Sequence, residues 1–192
     1  MVTGWRGDRT LVPVADYDDL RKLILELAVV PGRVILSSGA EADYYIDLRR
    51  LTLHHAAAPL VGRVMLDLTR HWDYAAVGGL TLGADPVAAA MVHVAAGQGR
   101  ALDGFVVRKS EKTHGLQRRI EGPDVAGRRV LAVEDTSTTG GSVLNAVAAL
   151  RESGADVVGV AVIVDRGAGD AVRSVGLDYL SAYSLTDLGL AV

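Results

Sequence analysis

The sequence predicts an α/β fold, a doubly wound and mainly parallel sheet with a small N-terminal flap or hood. Two observations carry this. Apolar runs of strand length alternate with helical patterns along most of the chain. The central runs, in GRRVLAVED and DVVGVAVIVDR, are apolar almost without interruption, which suits strands covered on both faces. The 192 residues fit one domain, residues 1–192, and the 49% hydrophobic content can fill its core. Residues 1–12 show no period and read as a disordered tail, and residues 13–55 as an N-terminal helix and flap.

The elements follow in order. DYDDLRKLILELAVV places Leu20, Leu23, Ile24 and Leu27 on one helical face, with Pro31-Gly32 as its stop. RVILSS and DYYIDLRRL read as short strands around the turn SGAEA. PLVGRVMLDLTRHW is helical, YAAVGG a short buried strand, and ADPVAAAMVHVAA a helix opened by Asp85 and Pro86. GFVVRK is a strand, followed by the polar stretch SEKTHGLQRRIEG. After the strand GRRVLAVED come the helix GGSVLNAVAALRESG, the strand DVVGVAVIVDR, a short helix in AGDAVRSVG and a last strand in LDYLSAYS.

Charge and composition narrow the function. A net charge of −3 gives no global attraction to nucleic acid or an anionic membrane. Without cysteine there is no disulfide, thiol nucleophile or thiolate metal site, which suits a reducing cytoplasm. Charged residues interrupt every apolar stretch near the start, so no signal peptide is read. AAVGGLTLGADPVAAAMVHVAAG is broken by Asp85, Pro86 and His93, a poor membrane span. A soluble cytoplasmic protein is expected.

The chemistry concentrates where strands end, which is where such sheets bind ligands. VLAVEDTSTTGGSV ends an apolar run in Glu134 and Asp135, followed by Thr136, Ser137, Thr138, Thr139, Gly140, Gly141 and Ser142. Small residues, hydroxyls and a helix start make a cup for a phosphate. The acids would repel that phosphate, so they should face hydrogen-bond donors. A ribose diol beside its own 5′-phosphate satisfies both halves. The bland alternative is that the acids cap the following helix. Neither a Walker loop nor a Gly-x-Gly-x-x-Gly turn is present.

RKSEKTHG gathers Arg108, Lys109, Lys112 and His114 within seven residues, followed by Gly115. It is either a solvated face or a cationic loop for a pyrophosphate leaving group. Loss of water there would raise a charge pair from about 1 to about 4 kcal/mol at 4 Å. GGLTLGADP offers backbone amides to a second phosphate, or is simply a tight turn. Arg166 in VDRGAG suits a carboxylate, with a surface ion pair as the alternative. His54-His55 lacks a third ligand for zinc. Tyr44-Tyr45 could stack on a planar base, although tyrosine in a strand usually serves packing.

These motifs resemble those of the type I phosphoribosyltransferases. VLAVEDTSTTGGSV is similar to their phosphoribosyl-pyrophosphate motif, and RKSEKTHG to the mobile loop of the orotate-specific members. SSGAEADYYIDLR, GGLTLGADP and VDR follow in matching order over roughly residues 20–190. The resemblance implies transfer of a 5-phosphoribosyl group from phosphoribosyl pyrophosphate to orotate, giving orotidine 5′-monophosphate and pyrophosphate. It further implies that Glu134 and Asp135 hold the ribose hydroxyls and that Thr136 to Ser142 cup the 5′-phosphate. Arg108, Lys109, Lys112 and His114 would meet the pyrophosphate, while Thr138 and Arg166 would bind orotate. Lys112, His114 and Asp135 are the implied catalytic residues. Magnesium would be held mainly by pyrophosphate and water, with no direct protein ligand. A homodimer is implied, its loop shared between subunits.

Two departures stand out. Ser37 occupies a position where many members have lysine, and Leu82-Gly83-Ala84 replaces Tyr-Lys-Gly, so backbone or hydroxyls must make those contacts. Two other functions are kept open: transfer to a different base, and a non-catalytic regulator that binds phosphoribosyl pyrophosphate.

Overall fold

The computed structural model describes residues 13–35, 41–109 and 119–190. It contains α1 (Val14–Leu23), whose last turn continues as a wider π-helical turn over Ile24–Ala28. Then come β1 (Val29–Ile35), β2 (Glu41–Ile46), α2 (Arg49–Thr52), α3 (Ala57–Leu68), β3 (Ala76–Leu80), α4 (Ala84–Gly97), β4 (Asp103–Val107) and β5 (Ile120–Glu121). The remainder is β6 (Arg129–Ser137), α5 (Gly141–Glu152), β7 (Asp156–Asp165), α6 (Gly169–Arg173) and β8 (Tyr179–Ser184).

The main sheet has the order β5-β4-β3-β6-β7-β8. All its neighbours are parallel except β5, which pairs antiparallel with β4. The period of two along each strand fills both faces. In β6, Leu131 and Val133 join one core with Leu20 of α1, Ile24 of its π-helical turn, Met65 of α3 and Met91 of α4. Val130 and Ala132 join the other, with Val143, Val147 and Leu150 of α5 and Val172 of α6. The chain winds from β3 outward to β4, then crosses back to β6 on the other side of β3. The carboxyl ends of β3 and β6 therefore flank the switch point, where a crevice opens in folds of this kind.

The doubly wound, mainly parallel sheet agrees with the sequence reading, and four local differences have physical reasons. The first helix ends at Ala28, three residues before Pro31-Gly32. Those two residues lie instead in β1, where the pairing with β2 shifts register between Pro31 and Val34. Arg49–Thr52 forms the short α2 where strand was expected, because the hairpin partner is exhausted at Val29↔Ile46. The two-residue edge strand β5 escaped notice inside a polar stretch. Finally, β6 runs on through Thr136 and Ser137, which pair with Val164 and Asp165 of β7. Residues 1–12 lie outside the described residues, as do residues 36–40, which include Ser37 and the first part of the stretch SGAEA read as a turn.

Candidate functional site

A cavity of about 240 Å³ lies at the switch point. Its floor is Glu134, Asp135 and Thr136 at the end of β6, with Ser142 from the first turn of α5. One wall is Leu80 to Gly83, from the last residue of β3 to the start of α4, and the other is Tyr45 to Arg49, from the end of β2 into α2. Lys109, just beyond β4, completes the lining.

The acid pair is held in an unusual state. Glu134 is 5% exposed. Burial and the neighbouring Asp135 push its carboxyl up to about 8, so it holds a proton at neutral pH. Asp135 is also raised, chiefly by burial, against the opposing pull of the Thr136 N–H and the Arg49 charge. Their hydrogen bonds come from their own strand: the Asp135 N–H donates to Glu134 Oε1 at 3.2 Å and the Thr136 N–H to Asp135 Oδ1 at 2.7 Å. Thr136 Oγ1 is buried with no hydrogen-bond partner among the described residues. The acids do not cap α5, whose N-cap is Gly140 in the left-handed region (φ 79°) without a side-chain cap. That removes the capping alternative and leaves the helix start open to an anion.

The bend is shorter than the sequence suggested. Thr136 and Ser137 belong to β6, and Ser137 is buried, so the turn proper is Thr138 to Gly140. Thr138, Thr139, Gly141 and Ser142 are exposed. On the facing wall, α4 likewise starts at Gly83 with no side-chain cap. A Cβ on Gly83 would fall against Glu134 Oε1 and 2.7 Å from Asp135 Oδ1. Any side chain at this position would oblige the two carboxyl groups to shift. Below it, Thr81 donates to Asp85 Oδ2 at 2.7 Å, while Asp85 Oδ1 is buried without a partner among the described residues.

Arg108 is half-buried, and its guanidinium lies 3.5 Å from Glu121 across the β4–β5 pair. Lys109 is exposed at the cavity. Lys112 and His114 lie outside the described residues. Arg166 follows β7, its N–H donating to Ser137 O at 2.9 Å, with Nε buried and unpartnered among the described residues. It stands beside the Thr138 end of the bend and is not part of the cavity lining. Sequence reasoning overlooked Asp47 and Arg49 and set Tyr45 aside as packing; Tyr45 is 43% exposed at the cavity. The available signal was polar residues following a strand that faces the switch point.

Comparison with known proteins identifies the family. The phosphoribosyl transferase domain model matches residues 51–177. The orotate phosphoribosyltransferase of Streptomyces avermitilis is 63% identical over 180 residues, covering 90% of this chain and 99% of its own. The Mycobacterium tuberculosis orotate phosphoribosyltransferase crystallised with Fe(III) dicitrate superposes with a TM-score of 0.83 at 59% identity, covering 91% of this chain and 99% of that one. The same enzyme in complex with 5-phospho-α-D-ribosyl 1-diphosphate gives a TM-score of 0.79 at 54% identity, with the same two coverages. The chain has the fold of a phosphoribosyltransferase. It belongs to the orotate phosphoribosyltransferase family.

Proposed function

We propose that the chain transfers the 5-phosphoribosyl group of phosphoribosyl pyrophosphate to orotate, releasing pyrophosphate and orotidine 5′-monophosphate in pyrimidine nucleotide synthesis. The observation that carries this reading is the uncapping acid pair, Glu134 buried and Asp135 partly so, near one strand end beside an open helix start. Family membership supports it.

In this reading Glu134 and Asp135 accept hydrogen bonds from the ribose 2′- and 3′-hydroxyls. The amides and hydroxyls of Thr138 to Ser142 hold the 5′-phosphate, with Thr136 and Ser137 fixing the strand end beneath them. Arg108, Lys109, Lys112 and His114 meet the pyrophosphate, Lys112 as the main counter-charge and His114 as a proton donor. Thr138 and Arg166 hold orotate, Arg166 through its carboxylate. Breaking the anomeric C–O bond leaves positive charge on the ribose, which Asp135 steadies. Orotate is already an anion and needs no strong base.

Among the described residues no group of three or more His, Cys, Asp or Glu could hold a metal ion. The cavity carboxylates are hard oxygen donors, so they fit a magnesium ion that arrives on the substrate with its water shell. Magnesium so bound would neutralise charge on the departing pyrophosphate. We place the protein in the cytoplasm as a homodimer sharing its loop between subunits. No described helix is long and apolar enough to cross a membrane.

Absorbance decay of orotate in the presence of phosphoribosyl pyrophosphate and magnesium tests the reading. Turnover of orotate is expected. Consumption of adenine or hypoxanthine instead would overturn the base assignment, and binding without turnover would favour a regulator.

A further inference from the structure

We propose that Arg49 holds the pyrophosphate end of phosphoribosyl pyrophosphate from the β2 side of the cavity. This rests on the reading of the cavity as that substrate's site.

With the ribose on the acid pair and its 5′-phosphate at the bend, the remaining lining must receive the group on C1. The wall Leu80-Thr81-Leu82-Gly83 carries no charge. The lining as a whole has three acids, Asp47, Glu134 and Asp135, of which Glu134 is protonated, and two cations, Arg49 and Lys109. A pyrophosphate needs both of them. Arg49 is built for the task. Its Nε donates to Asp47 Oδ1 at 2.8 Å, and its backbone N–H reaches the same oxygen at 3.2 Å. One carboxylate thus fixes both the start of α2 and the inner part of the side chain. The terminal nitrogens have no hydrogen-bond partner among the described residues, and the side chain is 46% exposed. A planar guanidinium presented in this way matches two phosphate oxygens at once.

An ordinary surface ion pair would stop at Asp47. The field of Arg49 instead reaches Asp135 and opposes the effect of burial there. The same cation therefore meets the leaving group and favours the ionised acid on which the ribose sits. Asp47 serves as its positioning residue.

The test compares Arg49→Gln and Arg49→Lys with the wild type in orotate turnover, and by calorimetric titration with magnesium pyrophosphate. Losing one charge-assisted contact should raise KM for phosphoribosyl pyrophosphate and weaken pyrophosphate binding by about tenfold or more. KM for orotate and the melting temperature should stay near wild type, and Arg49→Lys should recover part of the loss. Unchanged pyrophosphate affinity in Arg49→Gln would overturn the proposal, as would a rise in KM for orotate alone. If the wild type itself binds neither phosphoribosyl pyrophosphate nor pyrophosphate, the site reading fails first, an outcome distinct from the other two.

Discussion

Two adjacent parallel strands, β6 and β7, each carry an aspartate near the carboxyl end, Asp135 and Asp165, and the two acids have opposite fates. Asp165 at the end of β7 accepts the Gly167 N–H at 3.0 Å, the Ala168 N–H at 2.9 Å and the Tyr179 hydroxyl at 2.8 Å. Its carboxylate is spent on closing the turn into α6. Asp135 at the end of β6 receives the Thr136 N–H and sits beside a second acid in a cavity. A carboxylate whose oxygen already accepts three donors is structure; one enclosed beside a second acid awaits a donor from outside.

Substitution by amide separates the two acids most sharply. Asp135→Asn should lower kcat/KM for phosphoribosyl pyrophosphate by about 100-fold or more with the fold retained. Asp165→Asn should instead cost on the order of 1 kcal/mol of stability, read in denaturant, because it keeps the acceptor oxygen but removes the charge that strengthens three accepted hydrogen bonds. Equal losses of activity in the two variants would erase the distinction.

The pH dependence of stability gives the next effect. Glu134 has a usual value of 4.5, raised to about 8 in the fold, so the folded state binds its proton more tightly than the unfolded chain. Stability attributable to this group is full below about 4.5 and declines as pH rises toward 8. Glu134→Gln removes that decline. The variant should match wild type near pH 4.5 and exceed it by on the order of a few kcal/mol at pH 8. Denaturant titrations at both pH values check this, and an advantage confined to the acid side would contradict it.

How much of this was legible in the sequence follows the same division. The buried strands announced themselves because both faces of β6 and β7 must be apolar, and the acid pair was conspicuous as the abrupt end of such a run. The fate of Asp165 was not legible, since its partners, Gly167, Ala168 and Tyr179, depend on the turn into α6 and on β8. Arg49 was hidden for a related reason. It reaches the cavity only because the hairpin ends at Ile46 and α2 turns the chain toward β6, a tertiary event with no local pattern. The extension of β6 through Ser137 reflects pairing with β7, which overrides the loop-forming tendency of Thr and Ser.

Smaller effects sharpen the picture at the two helix starts. Gly83→Ala places a methyl group against both acids, so affinity for phosphoribosyl pyrophosphate should fall about tenfold with little loss of stability, as direct binding would report. Gly140→Ala must adopt a φ of 79° and should cost about 1 kcal/mol in thermal or denaturant unfolding.

The most direct test is a crystal structure with phosphoribosyl pyrophosphate bound. The account predicts the ribose 2′- and 3′-oxygens within hydrogen-bonding distance of Glu134 and Asp135, and the 5′-phosphate on the amides of residues 138–141. Carboxylates turned from the sugar, with the bend free of phosphate, would contradict it.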